Sequence, residues 1–255
     1  MALTSHQKER YARHLPIDEV GTKGQEKLLH AKVCIIGAGG LGSPAALYLA
    51  ASGVGTIGIA DADTVDVSNL QRQILHGDTD LGIPKVQSAK ETLQRINSEL
   101  EVLTYPVYVS EENIAGIIQD YDFVIDAADN FPTKFLINDA CVRAGKPFVH
   151  AGVIRFQGQL MTYVPGQGPC YRCIFQNPPQ EGAVPSAKQA GVVGAVCGVI
   201  GSLEAMEAVK YILGAGELLT GRMLVYDGLR AQFRTVKLPK RVESCAVCGG
   251  QKKGG

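Results

Sequence analysis

The sequence predicts an α/β protein built on a doubly wound, mostly parallel sheet that antiparallel strands extend. Three observations lead to this fold class. Apolar strands alternate with helices through the first 150 residues. A glycine loop, GAGGLG, joins the first strand to a helix of small residues. Two CxxC pairs lie far apart in the chain. Together they predict a Rossmann-like sheet with a four-cysteine zinc site.

The elements of the first half follow in order. The strands are short, apolar and rich in β-branched residues: KVCIIG, IGIAD, EVLTYPVYV, YDFVIDAAD and KPFVHAGV. The helices precede or separate them: SHQKERYARHL, GQEKLLH, SPAALYLAAS, VQSAKETLQRINSEL and PTKFLINDACVRAGK. The fourth helix is amphipathic because its apolar residues recur at alternating spacings of three and four. Strand–helix alternation of this kind predicts parallel pairing and a ligand crevice at the carboxyl ends of the strands.

The pattern changes after residue 150. VIRFQGQLMTYV is interpreted as one extended strand, and MLVYDGLRAQFRTVKL as a hairpin that turns at Asp227-Gly228. Between them a loop punctuated by proline and glycine, 176–189, leads into a long apolar helix, AGVVGAVCGVIGSLEAMEAVKYIL. We expect a single domain over 1–255. It comprises an N-terminal helical arm (1–30), a Rossmann-like half (31–150) and a second half (151–255) with the crossover loop and the zinc site.

Composition excludes some classes of partner. The chain has 255 residues with 25 basic and 25 acidic side chains, so no net charge favours nucleic acid or an anionic membrane. The start, MALTSHQKERYARHL, lacks the apolar region of a signal peptide, and no apolar run reaches the length of a membrane span. We therefore expect a cytoplasmic protein that binds neither nucleic acid nor membrane.

The glycine loop predicts a phosphate site. Gly37, Gly39 and Gly42 have the G-x-G-x-x-G spacing, which allows a tight turn and a close approach of backbone to phosphate. Asp61 ends the next strand, where a carboxylate can bind ribose hydroxyls. A glycine turn without ligand is the alternative. At this point NAD and ATP fit equally well.

The cysteines predict a metal centre. Cys170 and Cys173 form one CxxC pair, and Cys245 and Cys248 form the other. Four thiolates complete a closed, structural zinc site that ties the tail to the middle of the chain. A thioredoxin-like redox pair is the alternative for a single CxxC. Cys34, Cys141 and Cys197 lie in apolar segments and are interpreted as small core residues.

Polar residues beyond Asp61 favour a triphosphate over a dinucleotide. Arg72 can bind phosphate oxygens with its forked guanidinium, and Lys85 starts a helix whose N-terminus attracts the same anion. Asp129 follows a strand and offers a carboxylate to magnesium. Singly, Arg72 and Lys85 could be surface residues and Asp129 the N-cap of the next helix. Grouped around one glycine loop, they favour a ligand site.

These same stretches resemble the ThiF/MoeB family of adenylyltransferases, which activate ubiquitin-like sulfur-carrier proteins. The resemblance covers nearly the whole chain and rests on several motifs: RYARHL, GAGGLGS, DxDxVxxSNLQRQ, PK at 84–85, DAADN, CYRC, AGVVG, GVIGSLEAMEAVKYILG and the final CxxC. It implies that the 31–150 half binds ATP and the 151–255 half binds the carrier. The candidate ATP-binding residues are Gly37, Gly39, Gly40, Gly42, Asp61, Asp63, Ser68, Asn69, Leu70, Gln71, Arg72, Gln73, Lys85, Asp129 and Asn130.

The resemblance also implies the chemistry. The C-terminal carboxylate of a Gly-Gly tail would attack ATP, pyrophosphate would leave, and an acyl-adenylate would remain. Arg72, Lys85 and Asp129 would be catalytic, with magnesium near Asp129. Arg13 would be catalytic from the partner chain of a homodimer. No rhodanese-like segment is seen, so a sulfur donor would be a separate protein.

The sequence departs from the family pattern in one place. Many members carry a cysteine three residues before the Ala-Gly-Val of the long helix, and this chain has Ala187 there. Ala187 is either natural, in a chain that stops at the adenylate, or an engineered replacement. The final Lys-Lys-Gly-Gly is either a tail without a role or a substrate for self-adenylation. An NAD-dependent oxidoreductase and a non-catalytic carrier-binding scaffold are the rival functions.

Overall fold

The computed structural model describes residues 2–180, 183 and 187–249, and this part of the chain contains eight strands, nine α-helices and two short 3₁₀ turns. The strands are β1 (Lys32–Ile36), β2 (Thr56–Ala60), β3 (Glu101–Tyr105), β4 (Phe123–Asp126), β5 (Phe148–Ile154), β6 (Gln157–Tyr163), β7 (Arg222–Asp227) and β8 (Gln232–Lys237). The helices are α1 (Ser5–Arg10), α2 (Gly21–His30), α3 (Gly42–Ser52), α4 (Lys85–Ile96), α5 (Ile114–Ile118), α6 (Phe131–Arg143), α7 (Tyr171–Ile174), α8 (Ala187–Ala190) and α9 (Gly194–Leu213).

All eight strands form one sheet in the order β3-β2-β1-β4-β5-β6-β7-β8. The first five strands pair in parallel, and β6, β7 and β8 add antiparallel pairs. The predicted fold class, a doubly wound parallel sheet with an antiparallel extension, is confirmed. Because the order reverses at β1 and β4, the carboxyl ends of these two strands flank the crevice in which such sheets bind ligands.

The sheet is buried on both faces, as its apolar strands require. Val33 and Ile35 of β1 belong to one core, which α3 and α9 cover, and Cys34 belongs to the other, which α5 and α6 cover. This alternation follows from the two-residue period of a strand. Cys34 and Cys141 are fully buried in the second core, so their interpretation as core residues is confirmed.

The structure corrects the interpretation of VIRFQGQLMTYV as one extended strand. The segment contains the end of β5 and all of β6, which pair antiparallel across a two-residue turn at Arg155 and Phe156. Arg155 has φ +52° there. The turn carries none of the glycine or asparagine that usually marks such a conformation, so composition did not indicate it. The second hairpin, between β7 and β8, is confirmed.

Other element boundaries shift slightly. Helix α9 begins at Gly194, later than predicted, because Gly191 adopts φ +80° and interrupts the helical path. The 252–255 tail and part of the crossover loop lie outside the described residues, as does the side chain of Ala187. Among the described helices, none combines the length and apolarity that crossing a membrane requires.

Candidate functional site

The glycine loop lies between β1 and α3 and has the close contacts that its spacing predicts. Gly37 has φ +107°, and a Cβ there would lie 2.7 Å from the carbonyl oxygen of Ala127, which follows β4. A Cβ at Gly42 would lie 1.9 Å from the carbonyl oxygen of Gly37. Neither position can accept a side chain, so both glycines are needed to bring α3 onto the end of β1.

Asp61 holds the loop from the neighbouring strand. Its carboxylate accepts the backbone N–H of Ala38 at 2.8 Å and that of Asp63 at 2.9 Å. Asp61 follows β2, and its own backbone N–H donates to the carbonyl of Tyr105 at the end of β3. The predicted ribose carboxylate therefore lies beside the glycine loop, at the carboxyl edge of the sheet.

Two buried side-chain oxygens without hydrogen-bond partners lie beside the glycine loop. The Oγ of Ser43, in the first turn of α3, and the Oε1 of Gln73 are buried and have no hydrogen-bond partner in the described part of the chain. Gln73 lies against Gly39, with its Nε2 3.6 Å from where a Cβ would be. Buried polar atoms without partners are uncommon in folded proteins. Their position fits a site that receives a polar ligand.

Lys85 lies at the start of α4 and is paired with Asp63. Its Nζ lies 2.9 Å from Asp63 Oδ2, and the Tyr108 hydroxyl donates to Asp63 Oδ1 at 3.0 Å. The hydrogen bond from Lys85 is the main reason that the pKa of Asp63 lies below its ordinary value. The lysine side chain is 7% exposed, so its ammonium is held in the crevice rather than in solvent.

Arg72 contacts the glycine loop through its stem. A Cβ at Gly40 would lie 3.4 Å from Arg72 Cγ, and the guanidinium donates to the carbonyl of Ser68 at 2.9 Å. Ser68 and Asn69 belong to a short 3₁₀ turn, Val67–Asn69, whose capping residue is Asp66. The Ser68 hydroxyl donates to Asp66 at 2.6 Å. The side chains of Ser68 and Asn69 therefore form hydrogen bonds within this turn, to Asp66. Arg72, which follows the turn, lies against the glycine loop.

Asp129 follows β4 on the other side of the loop. Asn130, not Asp129, is the N-cap of α6, because its Oδ1 accepts the backbone N–H of Thr133 at 2.9 Å. The alternative that Asp129 caps this helix is therefore wrong. The Asp129 side chain is exposed, so its carboxylate is available to a hard cation such as magnesium.

A buried ionic cluster underlies this turn. Asp126 accepts from Lys134, from His150 Nδ1 at 2.6 Å and from the backbone N–H of Ala128. Burial alone would raise the pKa of Asp126, but Lys134 and His150 more than offset it and hold the pKa below its ordinary value. Burial lowers the pKa of His150, so the imidazole is neutral at neutral pH. The cluster fixes the start of the Ala127–Asn130 turn that carries Asp129.

The four cysteines form a compact cluster. Their sulfur atoms all lie within 4.8 Å of one another, and three of the separations are 3.9, 3.7 and 3.4 Å. Four sulfurs around zinc, at about 2.3 Å each, would be about 3.8 Å apart. The backbone N–H of Val242 also donates to Cys173 Sγ at 3.5 Å. The donor set and its spacing fit a tetrahedral zinc ion.

Arg13 lies away from the other predicted residues. Its neighbour Tyr11 packs where a Cβ of Gly53 would be, at the C-terminal end of α3. His14 reaches the same end through Gln25, which donates to the carbonyl of Ser52. The glycine loop is at the N-terminal end of α3, about 16 Å away for an 11-residue helix. One chain therefore does not bring Arg13 to its own loop.

The structure adds residues that sequence reasoning missed. A Cβ at Gly194 would lie 2.3 Å from the carbonyl oxygen of Gln71, and Cys197 Sγ would be 3.0 Å from a Cβ at Gly40. The start of α9 therefore belongs to the site, although it comes from the second half of the chain. Burial raises the pKa of Cys197 to about 11, which agrees with its interpretation as a core residue. No spacing in the sequence indicates this long-range contact.

Known proteins resemble this chain over nearly its whole length. The sequence model of the ThiF family matches residues 11–247. The chain belongs to the ThiF family. This ThiF-family chain is 46% identical over 256 residues to the Sulfur carrier protein adenylyltransferase of Thermus thermophilus, covering 98% of this chain and 94% of that protein.

Other relatives of the ThiF-family chain are longer. It is 45% identical over 246 residues to Adenylyltransferase and sulfurtransferase MOCS3 of Culex quinquefasciatus, covering 96% of this chain but 56% of that protein. The chain thus spans little more than half the length of relatives of this kind. Among solved structures, that of E. coli MccB with ATP superimposes with a TM-score of 0.82 at 28% identity, covering 94% of this chain and 75% of that one.

Proposed function

We propose that this protein is an ATP-dependent adenylyltransferase. It activates the C-terminal Gly-Gly carboxylate of a ubiquitin-like sulfur-carrier protein as an acyl-adenylate and releases pyrophosphate. The observation that carries the proposal is the arrangement of Arg72, Lys85 and Asp129 around a glycine loop. The names of the Thermus and Culex relatives, both adenylyltransferases, support it. The MccB structure with ATP supports a nucleotide in a fold of this kind.

Charge is the main obstacle to the proposed reaction. A carboxylate oxygen of the carrier forms a bond to the α-phosphorus of ATP while the bond to pyrophosphate breaks, and the electron pair leaves with pyrophosphate. Both reactants are anions, so positioning and cationic groups lower the barrier. The Lys85 ammonium has three N–H donors, and Asp63 uses one. The other two N–H donors of Lys85 can bind phosphate oxygens. The N–H groups of the Arg72 guanidinium that do not donate to Ser68 can do the same.

Magnesium fits the exposed carboxylate of Asp129. When bound, the ion neutralises phosphate charge and orients the leaving group. The residues of this chain supply the rest: Asp126 fixes the turn that carries Asp129, and Asn130 caps α6 behind it. No nucleophilic side chain is needed, so Ala187 does not prevent this half-reaction.

A homodimer would complete the site. Arg13 is exposed and has no hydrogen bond or ion pair among the described residues, and it lies at the far end of α3 from its own glycine loop. Beside it opens an apolar cavity of about 520 Å³. Ile17, Tyr48 and Met206 line this cavity and are 45%, 61% and 53% exposed. A second copy of the chain covering this face would bury the apolar residues and bring its Arg13 to the other site.

The second half of the chain would hold the carrier. Strand β8 is an edge strand, exposed along its whole length, and Phe233 on it is 53% exposed. The zinc ion proposed for the four cysteines is structural, since four thiolates leave no open position. It would fasten the segment after β8 to the start of α7 and so support this face.

Exchange of labelled pyrophosphate into ATP tests the activity. The zinc-loaded protein is assayed with magnesium and a panel of purified carriers ending in Gly-Gly, alongside a control without carrier. Carrier-dependent exchange is the expected result. Exchange in the control that is lost on deleting Gly254-Gly255 would mean self-activation. If the protein binds ATP but shows no exchange with any carrier, the result would favour the non-catalytic scaffold. If it binds NAD but not ATP, the result would favour the oxidoreductase.

A complementation experiment tests the contribution of Arg13 to the partner's site. Arg13→Ala and Asp129→Ala should each lower exchange strongly, and an arginine supplied by a partner is worth about 10³–10⁵ in rate in other phosphoryl transfers. Co-expressed as one population, the two variants form mixed dimers with one intact site each. Recovery to about a quarter of wild-type activity is expected if dimers assemble at random. No recovery would mean that Arg13 does not act across the interface.

A further inference from the structure

A buried histidine holds the glycine loop at its second residue. The Nε2 of His76 lies 3.0 Å from the carbonyl oxygen of Ala38, and its Nδ1 lies 2.8 Å from the Oγ of Ser88. The N–H of Ala38 donates to Asp61. Both backbone polar groups of Ala38 are therefore held, one by the predicted ribose carboxylate and the other by a residue that no motif of the sequence indicated.

The hydrogen-bond partners determine which nitrogen of His76 carries a proton. A carbonyl oxygen can only accept, so Nε2 must be the donor to Ala38. Burial, as the largest cause, lowers the pKa of His76, so the ring is neutral at neutral pH and Nδ1 is an acceptor. Nδ1 faces the Oγ of Ser88, but that oxygen carries a single proton, which it donates to Asp80. Ser88 Oγ also lies 2.8 Å from Asp80 Oδ2, which accepts the backbone N–H of Gly77.

This chain of contacts joins two parts of the site. Ser88 lies on α4, the helix that begins at Lys85, and it is 1% exposed. His76 is 7% exposed and stands between that helix and the glycine loop. The charged groups that act on His76 are Lys85 from α4, Asp80 from the 3₁₀ turn Asp78–Asp80 that precedes α4, and Asp61 after β2.

We propose that His76 is a positioning residue for ATP binding, an inference that rests on the proposed function. Its Nε2–H fixes the Ala38 peptide, so that the backbone N–H groups of the following glycines point towards the phosphates. Ser88 contacts the opposite nitrogen and holds the ring in place against the loop. His76 itself does not contact the nucleotide, so it acts on ATP affinity rather than on the bond-making step.

Two substitutions separate the hydrogen bond from the bulk of the ring. His76→Gln keeps an N–H donor at the position of Nε2 and an amide oxygen that can accept, whereas His76→Phe keeps the size and loses the donor. For His76→Phe we expect the KM for ATP in pyrophosphate exchange to rise about tenfold, with kcat within about twofold, the pattern of lost ground-state binding. His76→Gln should restore most of the affinity.

Asn97→Leu is the matched control. Asn97 is 2% exposed and its Nδ2 donates to the carbonyl of Ala50 at 3.1 Å, near the opposite end of α3 from the glycine loop. Like His76→Phe, Asn97→Leu removes a buried donor to a backbone carbonyl; it also removes a 3.4 Å contact with the Tyr11 hydroxyl and the acceptor of the Glu99 N–H, all away from the loop. It should leave the KM for ATP unchanged. An equal rise in Asn97→Leu would assign the effect to general destabilisation and overturn the proposal.

Hydrogen exchange without nucleotide separates this proposal from the proposed function. In the zinc-loaded, ATP-free protein, the hydrogen-bonded amides of Gly37, Ala38 and Ser43 should exchange about tenfold faster in His76→Phe than in the wild type, and at the wild-type rate in His76→Gln. If the wild type does not catalyse pyrophosphate exchange, the adenylyltransferase proposal is refuted. The hydrogen-exchange measurement does not depend on catalysis and would still test whether His76 holds the loop. Equal loop exchange in wild type and His76→Phe, or equal impairment of the Gln and Phe variants, would overturn the positioning role.

Discussion

Replacing Glu204 with methionine is expected to stabilise the protein. Glu204 lies in the middle of α9, is fully buried, and neither of its carboxyl oxygens has a hydrogen-bond partner among the residues described. Burial raises the pKa of Glu204 well above its ordinary value, against a smaller opposing effect of Lys134. The folded protein therefore holds this carboxyl group neutral, with its polar atoms unpaired.

The size of the effect follows from these facts. A buried polar group without a partner costs about 1–3 kcal/mol, and methionine has a similar length without polar atoms. The folded pKa lies above the unfolded one, so above a pH near 4.5 the unfolded chain has released a proton that the folded chain keeps. Wild-type stability then falls with rising pH by up to about 1.4 kcal/mol per unit from this group. The advantage of Glu204→Met should therefore grow between pH 5 and pH 8.

The assay is denaturant unfolding of zinc-loaded protein at pH 5, 6, 7 and 8. The Glu204→Gln side chain cannot ionise, so the free energy of unfolding of this variant should not show the fall with pH that Glu204 causes in the wild type. At pH 5 this variant should not be more stable than the wild type. Glu207→Met is the matched control, because Glu207 lies one turn away and accepts from Thr162 Oγ1 and from the backbone N–H of Leu219. The free energy of unfolding of the Glu207→Met protein should be lower than that of the wild type by at least about 2 kcal/mol. A Glu204→Met protein that is less stable than wild type, or a difference that does not change with pH, would refute the reasoning.

Three further predictions concern other parts of the chain. Removing zinc with a strong chelator should unfold the segment after β8, seen as rapid proteolysis there, and added zinc should reverse it; a chelated protein as resistant as the loaded one would contradict the metal assignment. Lys134→Met leaves the fully buried Asp126 without its lysine and should cost about 3–5 kcal/mol in denaturant unfolding, and a loss below about 1 kcal/mol would be inconsistent with this ion pair. Cys197, whose pKa burial raises to about 11, should resist iodoacetamide at pH 8 in native protein and react after unfolding, as peptide mass mapping would show.

Much of the site could be predicted because its cause is local. The glycine spacing is set by contacts within a strand–turn–helix unit, and Gly37 and Gly42 have the close approaches that it implies. The two CxxC pairs could be recognised because each pair places two sulfur atoms on one short turn. In both cases the residues that matter are neighbours in the chain, so their spacing carries the geometry.

The remainder depends on contacts between distant segments. The packing of Gly194 on Gln71 and the hydrogen bond from His76 to Ala38 exist only once the sheet has assembled. The β5–β6 turn was missed because Arg155 adopts a positive φ that other residue types usually occupy. Sequence patterns therefore located the glycine loop, but not the side chains that hold it.

Helix α9 sets the distance between the glycine loop and the apolar cavity. Its first turn touches Gln71 and lies against Gly40, and its last residue, Leu213, accepts from Lys27 of α2 and lines the apolar cavity. The 20 residues between these ends span about 30 Å of continuous helix. If a second chain covers the cavity as proposed, α9 would connect that interface directly to the segment that carries Arg72. Under the proposed function, dimer contacts at the cavity and ATP binding at the glycine loop would therefore depend on the same helix.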